Sequence, residues 1–168
     1  LVVECLNGYR SKERMPSNLG EFRVPLGEPE VIREGTDVTV VSYGSTLNLC
    51  GQAVDRLAGL GVEVELIDVR TLLPFDRTGT IARSVAKTHR VLFIDEDVPG
   101  GATAYMLERT LVGSDLWIHL DAAPQTLSAA PHLPAYGTDG DYFSKPSVDD
   151  IVERVHAMVA EDDPAGHP

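Results

Sequence analysis

Residues 38–76, VTVVSYGSTLNLCGQAVDRLAGLGVEVELIDVRTLLPFD, decide the fold that this chain is expected to adopt. Residues 38–43 are a largely β-branched run, which is typical of a strand buried on both faces. Regularly spaced apolar residues then predict a helix with one apolar face, which Gly61 ends. Residues 62–69 predict a second strand. The stretch is therefore a parallel β-α-β unit that closes in an Arg-Thr-Leu-Leu-Pro-Phe-Asp corner.

The turn between the first strand and the helix, YGSTLN at residues 43–48, is the first place to look for a nucleotide site. Gly44 permits a tight exit from the strand, and Ser45 or Thr46 is predicted to cap the helix. A dinucleotide fingerprint needs several glycines here, and a P-loop needs a following lysine. Because the turn has neither, we predict a structural crossover at this point.

Alternation of strands and helices continues along the rest of the chain. We predict a second helix from Asp76 or Thr78, strands at 91–96 and 117–120 with a third helix between them, loops at 124–146 with a short strand near 126–128, and a last helix at 148–159 capped by Ser147. This order predicts the α/β class: an open three-layer sandwich, with a mostly parallel sheet and helices on both faces.

The predicted domain organisation is uneven along the 168 residues. The chain opens with Leu1, which suggests a piece of a longer polypeptide. Residues 1–5 are predicted to be one strand that ends an earlier domain. Residues 6–35 are rich in glycine and proline and are predicted to be a connector, because so long an irregular segment is unusual inside a compact domain. Residues 36–160 form the predicted main domain, and 161–168 a disordered tail.

Charge is concentrated in the second half of the chain. Residues 1–90 hold eleven Lys or Arg against twelve Asp or Glu, whereas residues 91–168 hold three against fourteen. Such a half should repel nucleic acid and anionic lipid, because both associations depend on cationic side chains. It should attract a basic protein partner, or else it is a generic solubilising surface.

Hydropathy and cysteine content indicate where in the cell the protein is expected. No apolar run approaches the roughly 18 residues that a membrane span needs. Cys5 and Cys50 lack the spacing of a metal or redox motif, which favours two reduced thiols. These observations predict no membrane association and a cytoplasmic location.

Strand ends are the fair candidates for chemistry, since ligands of open α/β sheets bind there. Asp95 and Asp97 could share one side of a strand and hold Mg²⁺ with water. Gly100 and Gly101, ahead of a helix, could bind an anion, although the carboxylates just upstream oppose a phosphate. No histidine has the HExxH spacing and no serine lies in a G-x-S-x-G elbow. We therefore predict no catalytic, cofactor-binding or metal-binding residue in this chain.

Five strings occur in order: VTVVSYGS, GVEVELIDVRTLLPFD, SVAKTHRVLFIDED followed by PGG, LDAAP, and KPSVDDIVERV. The series resembles the carboxy-terminal half of the β subunit of 2-oxo acid dehydrogenase E1 components of the pyruvate and branched-chain type. The domain is shared more loosely with transketolase and deoxyxylulose phosphate synthase. LNGYR, GGATAYM and GDYFSKPS suggest a bacterial branch, with the α and β portions fused or separate.

The resemblance implies a thiamine diphosphate- and Mg²⁺-dependent parent enzyme. That enzyme would decarboxylate a 2-oxo acid and transfer the acyl group to the lipoyl group of E2. The wording of the matched sequence strings slightly favours a branched-chain substrate over pyruvate. The family holds the cofactor between two other domains, so none is expected to bind this chain. The fragment alone is expected to be inactive and to assemble with other E1 domains or subunits, as a homodimer or an α2β2-like complex.

The resemblance also implies a docking surface for the small basic binding domain of E2. It places Asp121, in HLDAAP, on that surface, and we add the acidic Glu96 and Asp97 as partner-binding residues. LDAAP is one alanine longer than the family string, and Asp121 could instead merely end a strand. The alternative function is a free-standing small-ligand or nucleotide-binding domain that uses the turn at Gly100 and Gly101.

Overall fold

The computed structural model describes residues 1–10, 12, 14–112, 114–133 and 140–161. Its strands are β1 (Glu30–Arg33), β2 (Val38–Ser42), β3 (Val64–Asp68), β4 (Val91–Ile94) and β5 (Gln125–Leu127). Its α-helices are α1 (Gly44–Ala58), α2 (Thr80–Thr88), α3 (Ala102–Leu111), α4 (Gly140–Ser144) and α5 (Val148–Ala160). Two 3₁₀ helices lie at Leu6–Arg10 and Asp115–His119.

The strands form one sheet in the order β1-β3-β2-β4-β5, in which only the β1–β3 pairing is antiparallel. Helices α1 and α5 pack on one face of the sheet, and α2 and α3 pack on the other. The predicted open three-layer α/β sandwich with a mostly parallel sheet is confirmed.

Strand β2 explains why the core has two halves. All five of its residues are buried, yet they alternate between the faces of the sheet. Val38 and Val40 pack with α1 and α5, whereas Val41 packs with α2 and α3. Thr39 lies on the second face, where its hydroxyl bonds the buried Ser84 and Thr88 hydroxyls of α2 at 2.6 Å each. A continuous β-branched run is thus what a strand between two helix layers requires.

One of the three predicted helix starts is confirmed. Ser147 caps α5 in a reciprocal capping box with Asp150. Helix α2 begins at Thr80 with Gly79 as its N-cap, later than the predicted Asp76 or Thr78, although the Asp76 carboxylate accepts the Thr80 and Ile81 amides at 2.8 and 3.0 Å. The predicted Ser45 or Thr46 cap is wrong, because α1 begins at Gly44 with Tyr43 as an N-cap that makes no side-chain bond.

The predicted strand at 117–120 is wrong, and a 3₁₀ helix takes its place. Ser114 caps the segment, only Leu116 of the five helical residues is buried, and Ile118 is exposed. Apolar composition there suggested a buried strand, but most of the segment does not enter the core. The short strand predicted near 126–128 is confirmed as β5, one residue earlier.

Strand β1 is a feature that sequence reasoning missed, since it falls inside the predicted connector 6–35. It has four residues whose burial alternates, and it covers the free edge of β3 in antiparallel register. Residues 1–5 are exposed and lie outside the sheet. Their assignment to an earlier domain, and the other predicted domain bounds, stay predictions. The predicted disordered tail lies almost entirely outside the described residues.

Candidate functional site

The carboxyl ends of the parallel strands bring several polar side chains to one edge of the sheet, which we call the carboxyl edge. Tyr43 follows β2, Asp68 ends β3, and Asp95 follows β4. The chain runs from β2 to β3 on one side and returns to β4 on the other, so the strand order reverses between β2 and β4. Open α/β sheets bind ligands at such a switch point. Tyr43 and Asp95 flank that point.

Asp95 is satisfied within the chain. Its side chain is almost fully buried, one carboxylate oxygen accepts the Tyr43 hydroxyl at 2.8 Å, and the other accepts the Glu96 amide at 2.7 Å. Burial raises the pKa of the Asp95 carboxyl, and these two hydrogen bonds oppose the rise. Burial and the bond to Asp95 raise the pKa of the Tyr43 hydroxyl. The two side chains that flank the switch point are therefore hydrogen-bonded to each other.

Glu96 and Asp97 lie just beyond β4, in an exposed turn at the same edge. Glu96 pairs with Lys145 at 3.1 Å, and Asp97 accepts the amide of Val98 at 2.8 Å. Because β4 ends at Ile94, the predicted sharing of one strand side by Asp95 and Asp97 does not arise. Within the described ranges, no three acidic, cysteine or histidine side chains are grouped as a metal site requires.

The glycine turn before α3 offers little to a phosphate. A Cβ on Gly101 would collide with the Asp97 carboxylate, so that carboxylate lies directly against the start of the helix. An anion at this helix terminus would meet Asp97 and two further carboxylates upstream. These residues do not fit a diphosphate, and they disfavour nucleotide binding by Gly100 and Gly101.

Asp121 lies at the opposite edge of the sheet, which we call the amino edge. Its amide donates to the His89 carbonyl at 2.9 Å, just before β4 begins, and its side chain is exposed. His89 in turn bonds the His119 carbonyl through Nδ1 at 2.7 Å. The chain from His89 to Glu96 crosses the sheet, a span of roughly 20 Å at about 3.3 Å per extended residue. Asp121 therefore does not share a surface with Glu96 and Asp97.

Replacing Tyr43 with phenylalanine is expected to lower the free energy of unfolding by about 1 kcal/mol at pH 7. Since the folded-state pKa of Asp95 is raised, its contribution to stability is present below the unfolded pKa and is lost as pH rises. Loss of the Tyr43 hydroxyl raises that pKa further, so the deficit should shrink toward pH 4. Urea unfolding at both pH values checks this, and an equal deficit at both would contradict it.

The fold and its strand ends define an open, three-layer α/β domain whose acidic carboxyl edge is paired internally. The chain belongs to the transketolase C-terminal domain family: the sequence profile described as "Transketolase, C-terminal domain" matches residues 27–145. It is 37% identical over 134 residues to the pyruvate dehydrogenase E1 component subunit beta of Chlorokybus atmophyticus, covering 80% of this chain and 38% of that one. Identity to the same subunit of Acholeplasma laidlawii is 36% over 118 residues, covering 69% and 35%. The resemblance inferred from the sequence is confirmed.

Solved structures agree on the fold. A split-gene transketolase, described as an inactive β4 tetramer, superposes with a TM-score of 0.69 at 19% identity, covering 86% of this chain and 46% of that one. A transketolase mutant of Pichia stipitis gives 0.57 at 15% identity, covering 82% and 18%. Against these curated and solved relatives, the chain spans less than half of each relative's length.

Cellular location stays a prediction. Among the described residues, no helix combines the length and the apolar character that crossing a membrane requires. The matched relatives include forms named mitochondrial and chloroplastic, both from rice. The predicted cytoplasmic location is therefore untested.

Proposed function

We propose that this chain is the carboxy-terminal assembly and partner-docking domain of a thiamine diphosphate-dependent 2-oxo acid dehydrogenase E1. The complete enzyme would decarboxylate a 2-oxo acid oxidatively and pass the acyl group to the lipoyl group of E2. The observation that carries the proposal is the match to pyruvate dehydrogenase E1 β subunits over most of this chain. The names of these relatives favour pyruvate over a branched-chain substrate.

The carboxyl edge supports an accessory role for this domain. Asp95 uses both carboxylate oxygens internally, and Glu96 is neutralised by Lys145. These two carboxylates are therefore engaged within the domain, as a structural part of the enzyme would have them. Thiamine diphosphate and Mg²⁺ would then be held by other parts of the parent enzyme, and the chain alone would be inactive.

The two edges of the sheet support separate contacts. The segment before β1 arrives at the carboxyl edge, because the Gly27 carbonyl accepts the Arg77 amide at 2.8 Å and Glu30 pairs with Asp68. Glu96 and Asp97 lie at this edge and would face the other E1 domains or subunits. Asp121 lies at the far edge and is left to the basic binding domain of E2.

Charge reversal at Asp121 tests the docking assignment. Asp121→Lys is expected to weaken binding of the E2 peripheral binding domain by about tenfold, since a favourable charge contact becomes repulsive. Binding by the unaltered chain should itself weaken as salt rises from 50 to 500 mM. Calorimetric titration of the chain with that domain measures both effects.

Glu153→Lys provides the matched control, because it makes the same charge change at an exposed position of α5, which packs on the face of the sheet opposite to α2 and α3. It should reduce affinity by less than about twofold. Equal losses for the two variants would indicate a general charge effect and contradict a contact at Asp121. Micromolar binding of a nucleotide by the unaltered chain would contradict the proposed function and favour a small-ligand domain.

A further inference from the structure

We propose that Trp117 and Ile118, flanked by Asp115 and Asp121, form the apolar centre of the surface at which this chain binds a basic protein partner. We call these four residues the amino-edge patch. The inference rests on the proposed function and deepens it, because it identifies what besides charge would hold the E2 binding domain there.

The 3₁₀ helix Asp115–His119 presents the apolar side chains outward. Leu116 points into the core, whereas Trp117 is 50% exposed and Ile118 is 80% exposed. Residues three apart lie on the same side of a 3₁₀ helix, so Asp115 stands over Ile118. Its Ser114 cap and its packing against α2 and α3 fix this helix on the domain. The position of the patch on the domain is therefore fixed.

Large apolar side chains exposed side by side are typical of contact sites, and tryptophan is enriched among residues that dominate binding energy. A scattered leucine on a surface needs no explanation. Here a tryptophan and an isoleucine are adjacent, and exposed carboxylates lie on either side along the chain. This combination fits a partner with an apolar pocket and a rim of lysine or arginine side chains.

The net charge of the chain favours a basic partner over a second copy of the chain as the occupant of the amino-edge patch. A second copy would bring the same acidic flank against Asp115 and Asp121, and each copy carries a net charge of −12. Like charges in contact oppose such a dimer. The segment preceding β1 enters at the carboxyl edge, roughly 20 Å away along β4, so it does not lead toward the patch. A basic partner would be attracted by the carboxylates of the patch, and its access does not depend on the segment preceding β1.

Trp117 is the only tryptophan in the chain, so its fluorescence reports on the amino-edge patch alone. Titration of the 168-residue chain with a tryptophan-free E2 peripheral binding domain should shift the emission to shorter wavelength as the indole leaves water. Trp117→Ala should weaken binding by about tenfold or more in calorimetry. Its melting temperature should stay near that of the unaltered chain, because the side chain is half-exposed.

Phe143→Ala is the matched control, since it removes an exposed aromatic ring from α4 and should leave affinity within about twofold. If Asp121→Lys weakens binding but Trp117→Ala does not, and the emission stays constant, the patch is wrong while the proposed docking function stands. If the unaltered chain binds no E2 domain, both fail. A concentration-dependent emission shift of the chain alone, with dimers in sedimentation, would assign the patch to a second copy and overturn the inference.

Discussion

Replacing Gly35 with alanine is expected to lower the free energy of unfolding by roughly 3 kcal/mol. Gly35 is buried where the chain passes from β1 to β2 across the start of β3. A Cβ there would overlap the carbonyl carbon of Val64 and the amide nitrogen of Glu65, well inside the 3.0 Å that Cβ contacts respect. These are backbone atoms of a central strand, so relief requires moving the sheet. Thermal unfolding should show a fall of roughly 6–12 °C.

Gly51→Ala is the control for this effect. Gly51 lies inside α1, and a Cβ there would meet nothing within 4 Å. Alanine should stabilise the helix by up to about 1 kcal/mol, since glycine loses more backbone freedom on folding. The two variants make the same chemical change with opposite expected signs. Gly35→Ala with unchanged stability would show that the β1–β2 connection does not press against β3 as described.

Replacing Lys87 with methionine is expected to cost roughly 2 kcal/mol at pH 7. Glu65 lies within the sheet with its side chain 3% exposed, and its carboxylate pairs with the ammonium group of Lys87. Loss of one partner leaves a buried charge uncompensated, which typically costs about 3–5 kcal/mol for a fully buried pair. Lys87 is 42% exposed, so water screens the pair and reduces the cost. Urea unfolding measures it.

The same variant should change how stability depends on pH. Burial alone would raise the pKa of Glu65, but hydrogen bonds from Lys87 and Ser84 bring it below the usual value. A lowered folded-state pKa gives stability that is present above the unfolded pKa, about 4.3, and lost as pH falls. Without Lys87 the pKa of Glu65 rises, so the deficit of the variant should be largest near pH 7 and shrink toward pH 4.

Glu34→Gln separates the buried pair from its exposed neighbour. Glu34 also pairs with Lys87, at 3.1 Å, but its side chain is 81% exposed. Its loss should change stability by less than about 0.5 kcal/mol, as is usual for surface ion pairs. If this variant costs as much as Lys87→Met, then burial of Glu65 is not the reason for the effect.

The local pattern of the sequence predicted the elements that have strong periodicity. The run at 38–43 specified β2 because a strand between two helix layers needs apolar residues at nearly every position. Ser147 followed by Asp150 specified the start of α5 through reciprocal bonds within four residues. Strand β1 was not predictable in this way. It has four residues near two prolines, and it exists because β3 offers a free edge to pair with.

The candidate site shows the same division. Sequence predicted that Glu96, Asp97 and Asp121 belong to an acidic surface, and the string LDAAP, with its resemblance, singled out Asp121. It did not predict that they lie at opposite edges of the sheet. That separation arises because a 3₁₀ helix, Asp115–His119, takes the place of the predicted strand, so that the chain reaches β5 from the amino edge. The exposure of Trp117 also depends on whether this segment forms a strand or a 3₁₀ helix.

The sequence by itself determined the family, the α/β class, the β-α-β unit at 38–76 and the acidic second half. These properties follow from residue types and from spacings between residues that are close together in the sequence. Only the tertiary structure decided which carboxylates are buried, which are paired, and which share a surface. Asp95 is closed off by Tyr43, 52 residues away along the chain, because β2 and β4 lie side by side. Contacts of that range depend on strand order, which no local pattern encodes.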